Sequence, residues 1–243
     1  MTSIVLSFEW RVGTKKEIHP KAIMAVNNVR RLNNLAATSL AEGNLENAVA
    51  VLHNAVHELR IGLNVLDRTG AFADEAETIV LDPLAISVHP SLHGNELIAS
   101  PSNAFHSFTK AFVLSESESD VDAIATILVY NFGVALQRKG INGGERAALQ
   151  RSKNMLTMAT DLLVMAENRG RQPSPLLALA LWNNLGYLHS HFFEYEEVRN
   201  CRDRMRHYYS ASWSELDTED LLFFYHAILF LDTCDFAAVA AAA

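Results

Sequence analysis

Apolar residues recur at every third or fourth position over most of the chain, the spacing that places them on one face of an α-helix. The first such stretch covers residues 20–41 and the second covers 45–63. Gly43 and Asn44 separate the two stretches, and Asn44 is of the residue type that caps a helix N-terminus with its side-chain oxygen. The sequence therefore predicts two helices joined by a tight turn, a helical hairpin.

Five more helices are predicted after residue 120, and glycine and proline residues separate the first three of them. They cover residues 121–139, 145–168, 175–191, 194–209 and 218–234. Asp217 is the predicted N-cap of the last of them. Together with the first hairpin, this gives an all-α fold of about seven main helices.

Residues 70–120 interrupt the helical pattern. The residues that break it are Gly70, Pro83, Pro90, Gly94 and Pro101. Two short apolar stretches, 78–81 and 105–114, are predicted as strands of a small hairpin. The second stretch also fits helical spacing through Phe108 and Ala111, but the prolines leave little room for a partner helix upstream. We therefore expect a small β-containing insertion at about 70–120, after the first helical hairpin.

These elements define one helical domain over residues 20–235, which includes the insertion. Residues 1–19 carry mixed signals and are left unassigned as an N-terminal arm. The final stretch, 236–243, is an alanine-rich tail.

Composition narrows the classes of function. The 243 residues carry a formal net charge of -8, and an acidic surface argues against nucleic-acid binding, which needs a basic footprint. The two cysteines give no disulfide framework, so a reducing compartment is expected. The apolar run 221–231 is shorter than the ~20 residues that cross a bilayer. We expect a soluble protein of the cytoplasm, with the nucleus as the alternative, and no membrane partner.

Three stretches of the chain resemble one another. They are Leu-Asn-Asn-Leu-Ala-Ala-Thr-Ser at 32–39, Val-Tyr-Asn-Phe-Gly-Val-Ala-Leu at 129–136 and Trp-Asn-Asn-Leu-Gly-Tyr-Leu-His at 182–189. Each has an apolar residue, an asparagine two places on, and then an apolar residue followed by Ala or Gly. The small residues are Ala36, Gly133 and Gly186, and we predict that they lie where the two helices of a hairpin touch.

This pattern resembles the first helix of a tetratricopeptide (TPR) repeat, which reads W-x2-L-G-x2-Y. The small residues lie 97 and 53 positions apart rather than the usual 34, with the extra residues in loops and in a lengthened helix. The arrangement as a whole, over about residues 25–235, is similar to an expanded family of TPR-like proteins of diatoms and related algae. The resemblance implies a TPR-like α-α solenoid that serves as an interaction module without assigned chemistry.

In the TPR register, the sixth position of each first helix lines the concave groove, and here it is Asn34, Asn131 and Asn184. An asparagine side chain can accept from a peptide N–H and donate to its C=O, so a row of them is suited to an extended backbone whatever its side chains. Further groove positions are Arg30, Asn33, Tyr130, Asn183 and Tyr187. The alternative is that these asparagines satisfy carbonyls between helices and bind no ligand.

Other chemistry has weaker support. His53 and His57 lie one helical turn apart and could hold a metal, but histidines that pack between hairpins are commoner and the glutamate of a zinc protease is missing. The basic residues with which chaperone-binding TPR proteins grip a C-terminal carboxylate are also missing. We therefore expect no catalysis and no cofactor.

The expected function is a scaffold or adaptor that binds a protein or peptide in the concave groove. The first alternative is a self-assembling structural protein that oligomerises through its convex face or its C-terminal helix. The residues of that helix considered for self-association are Leu221, Leu222, Phe223, Phe224 and Phe230. A metal-dependent enzyme using His53 and His57 is the third alternative.

Overall fold

The computed structural model describes residues 20–69, 105–115, 120–211 and 215–233. These residues form seven α-helices and contain no β-strand. The helices are α1 (Pro20–Ala41), α2 (Leu45–Thr69), α3 (Val121–Gly143), α4 (Arg146–Asn168), α5 (Pro175–His191), α6 (Tyr195–Ala211) and α7 (Thr218–Thr233). The all-α class predicted from the sequence is confirmed for this part of the chain. None of its helices combines the length and apolarity needed to span a bilayer.

The helices pack as three consecutive hairpins. The helices of each pair, α1 with α2, α3 with α4 and α5 with α6, contact each other along their length. Each hairpin also packs on the next, through α2 with α3 and α4 with α5, and α7 then packs on α5 and α6. The first helices of the hairpins, α1, α3 and α5, contact one another in that order. They therefore lie side by side and form one face of the molecule.

Helix α3 shows why one predicted boundary was wrong. The sequence predicts an end before Gly140, but the helix continues through it to Gly143. A Cβ atom at Gly140 would lie 2.6 Å from Leu149 Cδ2, so the glycine serves a close approach between α3 and α4 rather than a break. The helix ends instead at Gly144, whose φ of 63° lies in the left-handed region that glycine adopts without strain.

Small residues let the helices of a hairpin approach closely, as the sequence predicts. Ser152 Oγ donates to the carbonyl oxygen of Gly133 at 2.7 Å, which joins α4 to α3 directly. A Cβ atom at Gly133 would lie 2.6 Å from Leu156 Cδ2, and one at Gly186 would lie 3.2 Å from Cys201 Cβ. A side chain at Gly133 would collide with the second helix of its hairpin, and one at Gly186 would contact its second helix tightly.

The side chains of Asn44, Asp120 and Asp217 cap the starts of three helices. Asn44 Oδ1 accepts from the N–H of Asn47 at 3.2 Å, and Asp217 Oδ1 accepts from the N–H of Asp220 at 2.8 Å. Asp120 caps α3 by accepting from the N–H of Asp122 at 2.9 Å. These bonds satisfy backbone donors that have no partner inside the helix.

The predicted β-containing insertion is not confirmed. Residues 105–115 form neither a helix nor a strand, so the strand predicted over 105–114 is corrected to an irregular segment. The other predicted strand, 78–81, lies outside the described residues, as do the predicted N-terminal arm and the alanine-rich tail. The segment 105–115, called the groove segment below, runs across the face made by α1, α3 and α5.

Candidate peptide-binding groove

The three asparagines at the predicted groove positions form a row across the first helices, and we call Asn34, Asn131 and Asn184 the asparagine row. On α5, Asn184 accepts from the N–H of Phe108 at 2.6 Å and donates to its carbonyl oxygen at 2.7 Å. On α3, Asn131 binds Phe112 in the same way, accepting from its N–H at 2.9 Å and donating to its carbonyl oxygen at 2.7 Å. Each of these two side chains thus binds both backbone groups of one residue.

Asn34 completes the row on α1. It accepts from the N–H of Leu114 and donates to its carbonyl oxygen, both at 2.8 Å. Asn34 is partly exposed, whereas Asn131 and Asn184 are fully buried. The groove segment therefore enters deep between the helices near α5 and α3 and approaches solvent at α1.

The groove segment is extended between these anchors. It passes from α5 to α1, two spacings of 8–10 Å between neighbouring helices, in the six steps along the chain from Phe108 to Leu114. An extended chain covers ~3.3 Å per residue, so about 20 Å fits this path and a helix would be too short. Both backbone groups of one residue point the same way, as in an antiparallel strand pair, but the partner is a carboxamide instead of another strand. The groove segment is therefore extended but is not a β-strand, because its hydrogen-bond partners are side chains.

The residue just before each member of the asparagine row also donates to the groove segment. It always donates to the carbonyl two residues upstream of the residue that the row asparagine binds. These bonds run from Asn183 to His106, from Tyr130 to Lys110 and from Asn33 to Phe112, each at 3.1 Å. Each first helix thus contributes a two-residue clamp, and the carbonyls of all even-numbered residues from 106 to 114 are bonded.

The clamps are also joined to each other. Asn131 donates to Asn33 Oδ1 at 2.9 Å, which links α3 to α1, and Asn184 Nδ2 lies 3.4 Å from the Tyr130 hydroxyl, which links α5 to α3. Burial raises the pKa of Tyr130 well above its ordinary value, against the opposing effect of the bond with Asn184. Tyr130 therefore keeps its proton at neutral pH and acts as a donor. This network fixes the orientation of the clamp side chains.

Aromatic side chains of the groove segment fill pockets between α5 and α7. Phe105 stacks on Phe230 with ring centroids 6.0 Å apart and lies 6.2 Å from the Tyr187 ring. Phe108 contacts Phe223 and Phe224, with centroids 5.4 Å and 5.0 Å away. Burying aromatic side chains is the largest apolar contribution that such a short segment can make.

Three further apolar side chains of the groove segment are also buried. Phe112 packs edge-on against Tyr130, with centroids 5.1 Å apart, and is 2% exposed. Leu114 is 3% exposed, and Ala111 is fully buried. The groove therefore recognises side chains as well as backbone.

One buried ion pair crosses from the groove segment to α7. Lys110 Nζ lies 2.7 Å from Asp220 Oδ1 and 4.0 Å from Glu219 Oε1. Burial raises the pKa of Asp220 above its ordinary value, and the bond with Lys110 opposes part of that rise. The pair fixes the register of the segment against α7.

The structure brings together seven of the eight predicted groove residues around the groove segment. Tyr187 contributes through its ring, and the others, except Arg30, through hydrogen bonds. Arg30 lies one turn before Asn33 on α1 and donates to Asn27 on its own helix at 2.8 Å. The predicted row of asparagines does hold an extended backbone, and that backbone belongs to the same chain.

Sequence reasoning missed the other half of the site. Phe224 was considered for self-association, but it is fully buried against Phe108. Asp220 carried no signal at all, since its partner Lys110 lies 110 positions earlier. The apolar residues of 105–114 do not alternate strictly, so the sequence signalled neither the extended form of this segment nor its location.

The other candidates for chemistry lie apart from the groove. His53 and His57 are exposed on α2, so the interpretation that they pack between hairpins is wrong. No group of three or more potential metal-ligating side chains occurs in the described ranges. Cys201 is buried, and its burial raises the pKa of the thiol strongly, which keeps it in the unreactive protonated form.

Comparisons with protein-family models, with curated proteins and with solved structures gave no match to this chain.

Proposed function

We propose that this protein is a non-catalytic scaffold or adaptor that binds a protein or peptide partner in the groove of a TPR-like α-α solenoid. The observation that carries the proposal is the asparagine row, in which each side chain binds both backbone groups of one residue of an extended segment. Such bonds are the ones by which peptide-recognition domains hold an extended chain of any sequence.

The order of the helices supports the solenoid. Each hairpin packs on the next and the first helices form one continuous face, which is the arrangement expected when neighbouring repeats share a core. The repeated Asn-containing stretches occupy equivalent places on α1, α3 and α5. The likeness to TPR repeats rests on these equivalent positions.

The clamps favour binding because they are already ordered. The bonds of Asn131 with Asn33 and of Asn184 with Tyr130 join the clamps to one another and hold these side chains in place. A ligand backbone therefore orders few side chains when it binds, which lowers the entropic cost of association. The groove segment fills the site in this structure, so a partner uses the groove by taking that segment's place.

The test compares proteins recovered from a native lysate by three baits. They are the wild type, the triple variant Asn34→Ala, Asn131→Ala and Asn184→Ala, and a matched control, Asn154→Ala, at an exposed position of α4. We expect a partner that the wild type and the control retain and the triple variant loses, with helicity by circular dichroism preserved in all three. Equal recovery of every partner by the folded triple variant would overturn groove binding.

A second candidate function is self-assembly through the outer face of α7. Leu222, Tyr225 and Leu229 are 52%, 49% and 46% exposed and lie at positions i, i+3 and i+7, on one stripe of the helix. Leu222→Glu with Leu229→Glu is expected to reduce the sedimentation coefficient if this stripe forms a dimer. A wild type that is strictly monomeric at tens of micromolar would exclude it.

The same proposal assigns the protein to the cytoplasm, with the nucleus as the alternative. Its support is the low cysteine content, which is typical of proteins of a reducing compartment. Microscopy of the tagged full chain distinguishes the two compartments.

A further inference from the structure

We propose that the partner of the groove is an extended peptide of another protein whose side chains reproduce those of the groove segment. The pattern is aromatic, x, x, aromatic, x, basic, small, aromatic, x, leucine, as at residues 105–114. The groove segment is then the resident, tethered form of the groove's own ligand. This inference rests on the proposed function and names the chemistry of its ligand.

The aromatic positions are the strongest part of the pattern. Phe105, Phe108 and Phe112 are 9%, 3% and 2% exposed, and each ring packs against other aromatic rings. Pockets of this shape favour planar side chains, because aromatic pairs add to the burial of their area. The three rings are three and then four residues apart: Phe105 contacts α5 and α7, Phe108 contacts α7, and Phe112 contacts α3.

The basic and small positions add selectivity. Asp220 is 3% exposed and its carboxylate lies 2.7 Å from Lys110 Nζ, so an acidic residue in place of Lys110 would bring two negative charges together in a buried site. Ala111 is fully buried, so a larger side chain has no space there. A ligand with a bulky or acidic centre is therefore rejected.

Backbone recognition sets the register of the ligand. The clamps bond to residues 106, 108, 110, 112 and 114, and within the described part of the chain no side chain bonds to the backbone of 107, 109, 111 or 113. This alternation is that of a strand, with one edge held by the clamps. A ligand shifted by one residue would turn its bonded edge and its aromatic side chains away from their partners.

The groove segment is able to give way because it is not part of any helix. It is held by the clamps, the aromatic pockets and one ion pair, so its release breaks side-chain contacts and does not break the backbone hydrogen bonds within α1, α3 and α5. As a tethered ligand it competes at an effective concentration of about millimolar. For a peptide with an intrinsic Kd of about 10 μM, this lowers the apparent affinity roughly 100-fold.

The experiment uses a fluorescent synthetic peptide with the sequence of residues 104–115 and full-length proteins. The proteins are the wild type, a released variant with Phe108→Ala and Phe112→Ala, and the released variant that also carries Asn131→Ala and Asn184→Ala. In fluorescence anisotropy we expect the released variant to bind the peptide about 100-fold more tightly than the wild type. Loss of the two asparagines is expected to weaken that binding at least tenfold, because four hydrogen bonds disappear.

Matched peptides test the register and the pattern. An ester in place of the amide removes the N–H at the position of Phe112, which Asn131 binds, or at that of Lys110, which no clamp binds. We expect the first ester to weaken binding about fivefold to tenfold and the second to leave it within about twofold. A scrambled peptide of the same composition is expected not to bind.

The outcomes separate this inference from the proposed function. If the scrambled peptide binds the released variant as tightly as the matched one, the groove binds backbones without this pattern, and the inference is overturned while the proposed function stands. If no peptide binds a released variant of native helicity, both are overturned. Should the double substitution unfold the protein, Lys110→Glu replaces it, since the new carboxylate faces Asp220 and Glu219 and displaces the segment with all aromatic residues intact.

Discussion

Asn184 and Phe108 are 76 positions apart in the chain, and the carboxamide of Asn184 binds both the N–H and the carbonyl oxygen of Phe108, at 2.6 Å and 2.7 Å. An asparagine side chain here takes the place that a neighbouring strand has in a β-sheet. Both residues are buried, so water cannot replace either bond at low cost.

Substitution of this asparagine tests the bond pair directly. We expect Asn184→Ala to lower the free energy of unfolding by about 2–4 kcal/mol, because two buried backbone groups of Phe108 lose their partner. Asn184→Asp is expected to cost more at neutral pH, since it removes the donor and buries a charge. Urea denaturation measures both, and Asn154→Ala on the exposed face of α4 is expected to change stability by less than about 0.5 kcal/mol. If Asn184→Ala lowered the free energy of unfolding as little as the control does, the groove segment would add little to stability.

The glycine at the contact of α3 and α4 allows a second test. Gly133→Ala places a Cβ atom 2.6 Å from Leu156 Cδ2, and Leu156 is fully buried, so its side chain must shift within the packed core. We expect a net loss of about 1–2 kcal/mol in urea denaturation, although alanine is the better helix former. Gly143→Ala is the control, because its Cβ atom would meet nothing closer than 3.4 Å, and it should be neutral or slightly stabilising. Equal effects of the two substitutions would contradict the close approach.

The ion pair at the groove predicts a pH dependence. Burial raises the pKa of Asp220, with Lys110 opposing part of the rise, so the folded state holds this proton more tightly than the unfolded state. The contribution of Asp220 to the free energy of unfolding therefore falls as the pH rises from its ordinary pKa of about 3.9 through the raised value. Asp220→Asn has no proton to lose, so its stability relative to the wild type should increase across that window. A difference between the two proteins that does not change with pH in urea titrations would disprove the raised pKa.

The turn between α5 and α6 contains a strained residue. Phe193 has a φ of 61°, in the left-handed region that costs a non-glycine residue about 1–2 kcal/mol, and its side chain is 74% exposed. The corresponding turn of the first hairpin has Gly43, with a φ of 75°. We expect Phe193→Gly to raise the free energy of unfolding by up to about 1 kcal/mol, and with it the melting temperature, because glycine removes the strain and little packing is lost. A lower melting temperature would mean that the exposed ring makes a stabilising contact.

The helices could be predicted from the sequence because their signals are local. The spacing of apolar residues gave all seven elements, and Asn44 and Asp217 marked two of their starts. Where a boundary was wrong, as at Gly140, the deciding partner was Leu149 on another helix. A glycine that permits a close contact looks, in a sequence, like a glycine that ends a helix.

The sequence predicted only one side of the groove, the asparagines that bind, and not what they bind. The repeated Asn34, Asn131 and Asn184 gave the binding side, since one residue type at equivalent repeat positions is visible without a structure. What the row binds was not visible, because the groove segment meets its partners across separations of 76 and 80 positions. Apolar spacing in residues 105–114 fits a strand, a helix or an extended ligand equally well.

The path of the groove segment has a consequence for synthesis on the ribosome. Phe108 is made early, but Asn184 and Phe224, which bury it, follow much later in the chain. At 5–20 residues per second, roughly 6–23 s of translation pass before Phe224 exists. Phe112 can pack on Tyr130 once α3 is made, whereas Phe105 and Phe108 still lack the aromatic rings of α7. In a nascent or truncated chain that lacks α7, Phe105 and Phe108 are therefore left without these partners, and this end of the segment can dock only after α7 is made.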